Sequence, residues 1–205
     1  MAAAGDGWTD ILLDIWREGQ QRSMVGPGDL EVHLRLAERL AATLDAPERA
    51  LDLGSGAGIP GLALAGLWPA SSWVLVDAAL RRVRLLEQAV AELGWTDRVQ
   101  VRHGRAEDLG RDAALREAFP LVTARSFGHP AVTAECGGSF VALDGVLVVA
   151  EPPEATGERW PASGLAELGL APEGVSGGAQ RLRRTAPLPE RFPRRAGVPV
   201  KRPLF

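Results

Sequence analysis

The sequence predicts a doubly wound α/β domain on a mainly parallel sheet, and three observations carry that expectation. From residue 49 onward, short apolar runs alternate with helix-length segments; the first run leads into a glycine-dense turn; the second ends in an acid. Strand-length runs separated by helices imply crossover connections, and therefore parallel strands with helices on both faces. Residues 50–53, 73–76, 99–101, 121–124 and 146–150 read as strands, and residues 61–67, 79–93 and roughly 130–141 as the helices between them. Ahead of them, Trp8, Ile11, Leu12, Ile15 and Trp16 have the spacing of an amphipathic helix over residues 8–24. Val25-Gly-Pro-Gly-Asp29 then reads as a breaker and cap. A second helix follows, with Leu30, Leu34, Ala37, Leu40, Ala41 and Leu44 on one face. Further on, residues 165–170 end a short helix and residues 180–185 form an edge strand. The chain divides into a helical extension, 1–48, and one structural unit, 49–205.

Composition narrows the classes of function. A chain of 205 residues can bury a full core. No apolar run approaches the roughly 20 residues that span a bilayer, and residues 1–10 lack the basic flank and apolar stretch of a secretion signal. Cys136 is the single cysteine, so no disulfide and no cysteine-built metal site is expected. His33, His103 and His129 show no metal-ligand spacing. These features point to the cytoplasm. The net charge of −3 conceals an asymmetry, because residues 181–205 hold eight basic side chains and one acid, Glu190. A basic segment on an acidic body suits a phosphate-bearing partner, or else balances the acidic body.

The most informative run is Ala50-Leu-Asp-Leu-Gly-Ser-Gly-Ala-Gly-Ile-Pro-Gly61. Gly54, Gly56 and Gly58 allow positive φ and let a ligand approach bare backbone. Pro60 suits a first helical position. Such a turn cradles a nucleotide-like ligand at the carboxyl end of the strands. Gly56 to Gly61 satisfies the dinucleotide pattern, which is weak taken alone. Asp52, two residues before Gly54, favours S-adenosylmethionine: a carboxylate there meets the amino group of a methionine moiety but gains nothing beside a pyrophosphate. Asp77 ends the second strand where a carboxylate accepts ribose hydroxyls, which fits either ligand.

On these residues the chain resembles the bacterial small-subunit rRNA guanine-N7 methyltransferases. The resemblance lies in Leu51-Asp-Leu-Gly-Ser-Gly-Ala-Gly-Ile-Pro-Gly61, Leu75-Val-Asp77, Arg81-Arg-Val-Arg-Leu-Leu-Glu87, His103-Gly-Arg-Ala-Glu-Asp108 and Val122-Thr-Ala-Arg-Ser126. The terminal Arg191-Phe-Pro-Arg-Arg-Ala-Gly-Val-Pro-Val-Lys-Arg-Pro-Leu204 matches as well. It implies the seven-stranded Rossmann-like sheet of class I methyltransferases, S-adenosylmethionine as cofactor, and rRNA or the small ribosomal subunit as partner. It also implies roles for single residues. Gly54 and Ile59 line the cofactor loop, Ala106 and Glu107 meet the adenine, and Arg125 faces the methyl-transfer region as catalytic residue. Arg194, Arg195, Lys201 and Arg202 in the basic tail grip RNA phosphates.

The chemistry that the residues permit agrees with that implication. Cys136 lies in no catalytic-thiol motif, and Ala124-Arg-Ser-Phe127 replaces the Asn/Asp-Pro-Pro-aromatic run of exocyclic-amine enzymes. N7 of guanine carries an unprotonated lone pair and needs no base. Phe127 beside Arg125 either stacks on a base or packs in the core. The chain departs from the family at Ser23-Met-Val-Gly-Pro-Gly28 and Glu31-Val-His-Leu-Arg-Leu36. It departs again at Glu151-Pro-Pro153, where a lysine–glycine pair is expected. These departures leave open a methyltransferase acting on another RNA or a small molecule, or a non-catalytic cofactor-binding regulator.

Overall fold

The computed structural model describes residues 7–152 and 154–205; residues 1–6, part of the stretch read for a secretion signal, and Pro153 lie outside the described residues. The elements run α1 (Gly7–Gln21), α2 (Glu31–Ala41), β1 (Arg49–Leu53), α3 (Gly61–Leu67), β2 (Ser72–Asp77), α4 (Leu80–Glu92), β3 (Val99–His103) and α5 (Ala106–Leu109). They continue β4 (Phe119–Ala124), α6 (Pro130–Gly138), β5 (Val141–Ala150), α7 (Ala162–Ala166), β6 (Leu170–Ser176), β7 (Ala179–Arg184) and α8 (Val198–Lys201). The seven strands form one sheet in the order β3-β2-β1-β4-β5-β7-β6. The first five strands pair in parallel, while β7 runs antiparallel to both β5 and β6.

Alternation along β1 and β2 divides the core. Ala50, Trp73 and Leu75 face one cluster with α1 to α4, whereas Leu51, Leu53, Val74 and Val76 face the other with α6 and α7. Both faces are covered, so these strands read as unbroken apolar runs. The order reverses at β1, between β2 and β4, and the ends of β1 and β4 open a crevice at that switch point. The N-terminal helices close one side of it. α1 packs on α3 and α4, and buried Trp16 donates from Nε1 to the carbonyl of Ala57 in the glycine turn at 2.9 Å.

Three expectations are corrected. Residues 180–185 do not form the edge, since β7 is interior and β6 lies outside it. The edge strand carries Pro172 and Gly174, where its register slips, and Pro and Gly hide a strand from pattern reading. The helix expected over residues 130–141 stops at Gly138, because Val141 already belongs to β5. Pro60 immediately precedes α3 rather than opening it.

The corner beyond β5 is fastened by a fully buried arginine on β7. Arg184 donates to the carbonyls of Leu168 and Gly138 and, at 3.3 Å from Nε, to that of Val141. Burial lowers its pKa to about 10. Arg184→Met removes every one of these donors and leaves buried carbonyls unmatched, at about 1–3 kcal/mol each. We expect a Tm loss on the order of 10 °C, with cofactor affinity per folded molecule unchanged, as differential scanning calorimetry and titration will show.

Candidate functional site

The site is built around the turn that follows β1. Gly54, Gly56 and Gly58 have φ of 66°, 60° and 85°. A Cβ at Gly56 would meet only the carbonyl of Gly54, at 3.9 Å, so bare backbone there faces open space. Two carboxylates hold the turn. Asp77, at the end of β2, accepts from the amide of Gly56 at 2.9 Å on Oδ2 and from that of Ala79 at 2.8 Å on Oδ1. Each oxygen keeps a second acceptor direction for a hydroxyl, and Arg82 lies 3.7 Å from Oδ2.

Asp52 stands differently from the expectation. It is fully buried and lines neither of the two cavities described below. Its Oδ1 accepts from the hydroxyl of Thr123 at 2.7 Å, across the β1–β4 pair. Its Oδ2 is buried without a hydrogen-bond partner and lies beneath Gly61, whose missing Cβ would fall 2.7 Å from it. Burial pushes the Asp52 pKa up to about 6, against the hydroxyls of Thr123 and Ser55. The position supports the turn from below. Gly58 likewise points inward, against the side chain of Leu62.

Two cavities lie at the carboxyl ends of the strands. The first, about 370 Å³, brings Gly54, Gly56, Ile59, Arg82, Arg125 and Ser126 together with residues 24–29, Val32 and His33. The second, about 550 Å³, is lined by Ala78, Ala106, Glu107, Phe127, Cys136 and tail residues among others. Both volumes suit parts of a small-molecule ligand. Phe127 lies between them: a Cβ on Gly54 would fall 2.6 Å from its ring, and the ring packs on the core.

The expected cofactor residues divide between these walls and their supports. Gly54, Gly56, Ile59 and Arg125 line the first cavity, and Ala106 with Glu107 the second. Asp77 stands beside them, while Asp52 and Gly58 lie below. The residues fit S-adenosylmethionine: the bare glycine backbone would take the methionine part, Asp77 the ribose hydroxyls and Ala106 with Glu107 the adenine.

Sequence reasoning missed His33 and the α1–α2 loop as walls of the first cavity. His33 is buried edge-on to Trp16, with ring centroids 5.6 Å apart. Burial first, and the Arg125 charge second, lower its pKa to about 4, so it is neutral at pH 7. Its distance in sequence from the glycine turn gave no signal. Among the described residues no group of three His, Cys, Asp or Glu side chains is placed to hold a metal ion, and no helix is long and apolar enough to cross a membrane.

The basic tail is more committed than its composition suggested. Arg194 grips fully buried Glu135 with Nε at 2.9 Å and Nη2 at 2.5 Å, and its amide adds a third bond at 2.7 Å. That guanidinium is therefore engaged by the protein through Nε and Nη2. Arg181 and Arg183 lie on β7 against Glu173, and Arg184 is internal. Arg195, Lys201 and Arg202 are exposed. Glu151, whose negative charge stood where a lysine was expected, turns its buried carboxylate to Trp160 Nε1 at 3.0 Å and to Arg159 at 3.4 Å.

The strand order and the glycine turn define a class I methyltransferase fold. A methyltransferase from Geobacter sulfurreducens superposes with a TM-score of 0.57 at 15% identity, over 91% of this chain and 92% of that one. Residues 30–152 match the GidB family, described as rRNA small subunit methyltransferase G. The ribosomal RNA small subunit methyltransferase G of Symbiobacterium thermophilum is 35% identical over 94% of this chain and 87% of its own length. That of Leuconostoc citreum is 36% identical over 75% and 68%. The chain belongs to this methyltransferase G family and is an S-adenosylmethionine-dependent methyltransferase.

Asp52 gives the site a pH signature. Its carboxyl is protonated more readily in the folded chain than in the unfolded one, where 3.8 is the ordinary value. Folding is therefore favoured by protonation, and wild type loses stability relative to Asp52→Asn as pH rises from about 4 through about 6. The stability gap should grow in favour of the variant by an amount on the order of 3 kcal/mol between pH 4 and pH 7.5. Parallel melting curves check this; a gap independent of pH would mean that Asp52 does not titrate in this range.

Proposed function

We propose that the protein methylates N7 of a guanine in small-subunit rRNA, in the cytoplasm. The reading rests on one observation above the rest: Arg125, just past the end of β4, lines the first cavity together with Gly54 and Gly56 of the glycine turn. Membership in a family whose relatives are named for small-subunit rRNA supports the substrate. S-adenosylmethionine, when bound, supplies an electrophilic sulfonium methyl.

The chain's own residues have a limited task in such a transfer. N7 already carries its lone pair, so alignment supplies the acceleration; well-aligned reactants gain on the order of 7–11 kcal/mol. Arg125, half-buried, donates to guanine O6 and turns N7 toward the methyl. His33, neutral beside it, closes the cavity without adding a second positive charge. The extension 1–48 serves as the wall of the base site through its α1–α2 loop. Exposed Arg195, Lys201 and Arg202 hold RNA phosphates.

Nucleoside mass spectrometry of small-subunit rRNA, from cells with and without the gene, tests the reading. N7-methylguanosine should disappear with the gene and return with wild type. Arg125→Ala should restore less than a tenth of it while keeping its melting temperature within about 3 °C. Unchanged rRNA methylation on deletion would refute the substrate. For the tail, the slope of log Kd for rRNA against log salt should flatten by about one for each phosphate that a substitution leaves without its cation. We expect that of Lys201→Ala and Arg202→Ala in filter binding at several salt concentrations.

A further inference from the structure

Resting on the reading above, the adenine side of the cofactor site has a wall that the glycine turn and strands do not provide. The lining of the second cavity includes Ala78, Ala106 and Glu107 together with Val200 and Pro203 from the C-terminal tail. We propose that residues 197–203 form the adenine-side wall of the cofactor site, so that the segment bearing the RNA-facing cations also sets cofactor affinity.

The tail is fixed in this place by a series of bonds to the body of the domain. The amide of Gly197 donates to Oε1 of Glu107 at 2.9 Å, and Glu107 is only 4% exposed. Gly197 adopts φ of 80°, a left-handed turn that carries the chain from that contact into α8. Upstream, Arg194 on Glu135 anchors the segment to α6, and Arg116 donates to the carbonyl of Phe192 at 2.6 Å. α8 packs against α6. Within α8, Pro199 is buried, while Val200 stays 63% exposed although it is a large apolar residue. An apolar side chain left exposed in the lining of a cavity that also holds a buried carboxylate suits an adenine. The ring faces lie against Val200 and Pro203, and the exocyclic amine donates to Glu107. Oε1 accepts from Gly197, and the carboxylate keeps acceptor directions for that amine.

The test is calorimetric titration of the full chain with S-adenosylhomocysteine, together with the melting temperature of each protein alone. Val200→Asp places a charge at the rim and should weaken binding at least tenfold. Val200→Ser, a small change at an exposed position, should weaken it two- to fivefold. Leu143→Asp, at an exposed apolar residue outside both cavities, should leave it within twofold. Affinities of both Val200 variants within twofold of wild type, with unchanged melting temperatures, would overturn the wall while leaving the cofactor reading intact. Failure of wild type itself to bind S-adenosylhomocysteine would overturn the cofactor reading and the wall with it.

Discussion

Asp52 and Thr123 face one another in the register of β1 and β4, and a 2.7 Å hydrogen bond joins them at the point where the sheet changes direction. Strands diverge there, and the crevice between their ends is what a ligand uses. The bond keeps β1 and β4 together below the crevice while Asp77 ties the turn above it to β2. The glycine turn is thereby held between two buried carboxylates. One of them is buried at a cost, with an oxygen that no donor meets. A site whose backbone must stay in place without side chains of its own needs such support, because glycine adds conformational entropy to the unfolded chain and nothing to the packing.

The same need for support explains the N-terminal helices. α1 does more than cover the sheet: Trp16 reaches from its buried face to the carbonyl of Ala57, and the loop after it runs along the cavity. His33 follows on α2, close enough to feel the charge of Arg125. The glycine turn is thus braced from three directions, by β2, by β4 and by α1. Departures from the family in this region fall on the wall of the first cavity, and the glycine turn is untouched by them.

Charge in the last quarter of the chain has two separate duties. Arg181, Arg183, Arg184 and Arg194 are structural, bonded to carbonyls and to Glu173 or Glu135. Glu135 raises the pKa of Arg194 further. A buried pair of this kind costs desolvation and returns it only through good geometry, which the forked contact provides. What it secures is the position of the residues beyond it. Arg195, Lys201 and Arg202, beyond that anchor, stay exposed.

The sequence by itself determined the parallel sheet, the cofactor turn and the acid at the end of β2. Those features are local: an apolar run, a run of glycines and a terminal carboxylate each declare themselves within about ten residues. It also carried the family, through Arg105-Ala-Glu-Asp108, Thr123-Ala-Arg125 and the tail. Tertiary structure alone decided which groups reach the cavities. Asp52 and Arg194 read as ligand-binding residues by type, yet their partners are Thr123, 71 residues away, and Glu135, 59 residues away. His33 reads as an ordinary helix position and Val200 as one residue of the basic tail, and only folding brings them to Arg125 and Glu107. The broken edge strand β6 was hidden for the opposite reason, since Pro172 and Gly174 erase its period while β7 supplies the pairing that makes it a strand. A residue's type is legible along the chain; its partner is set by how the chain returns on itself.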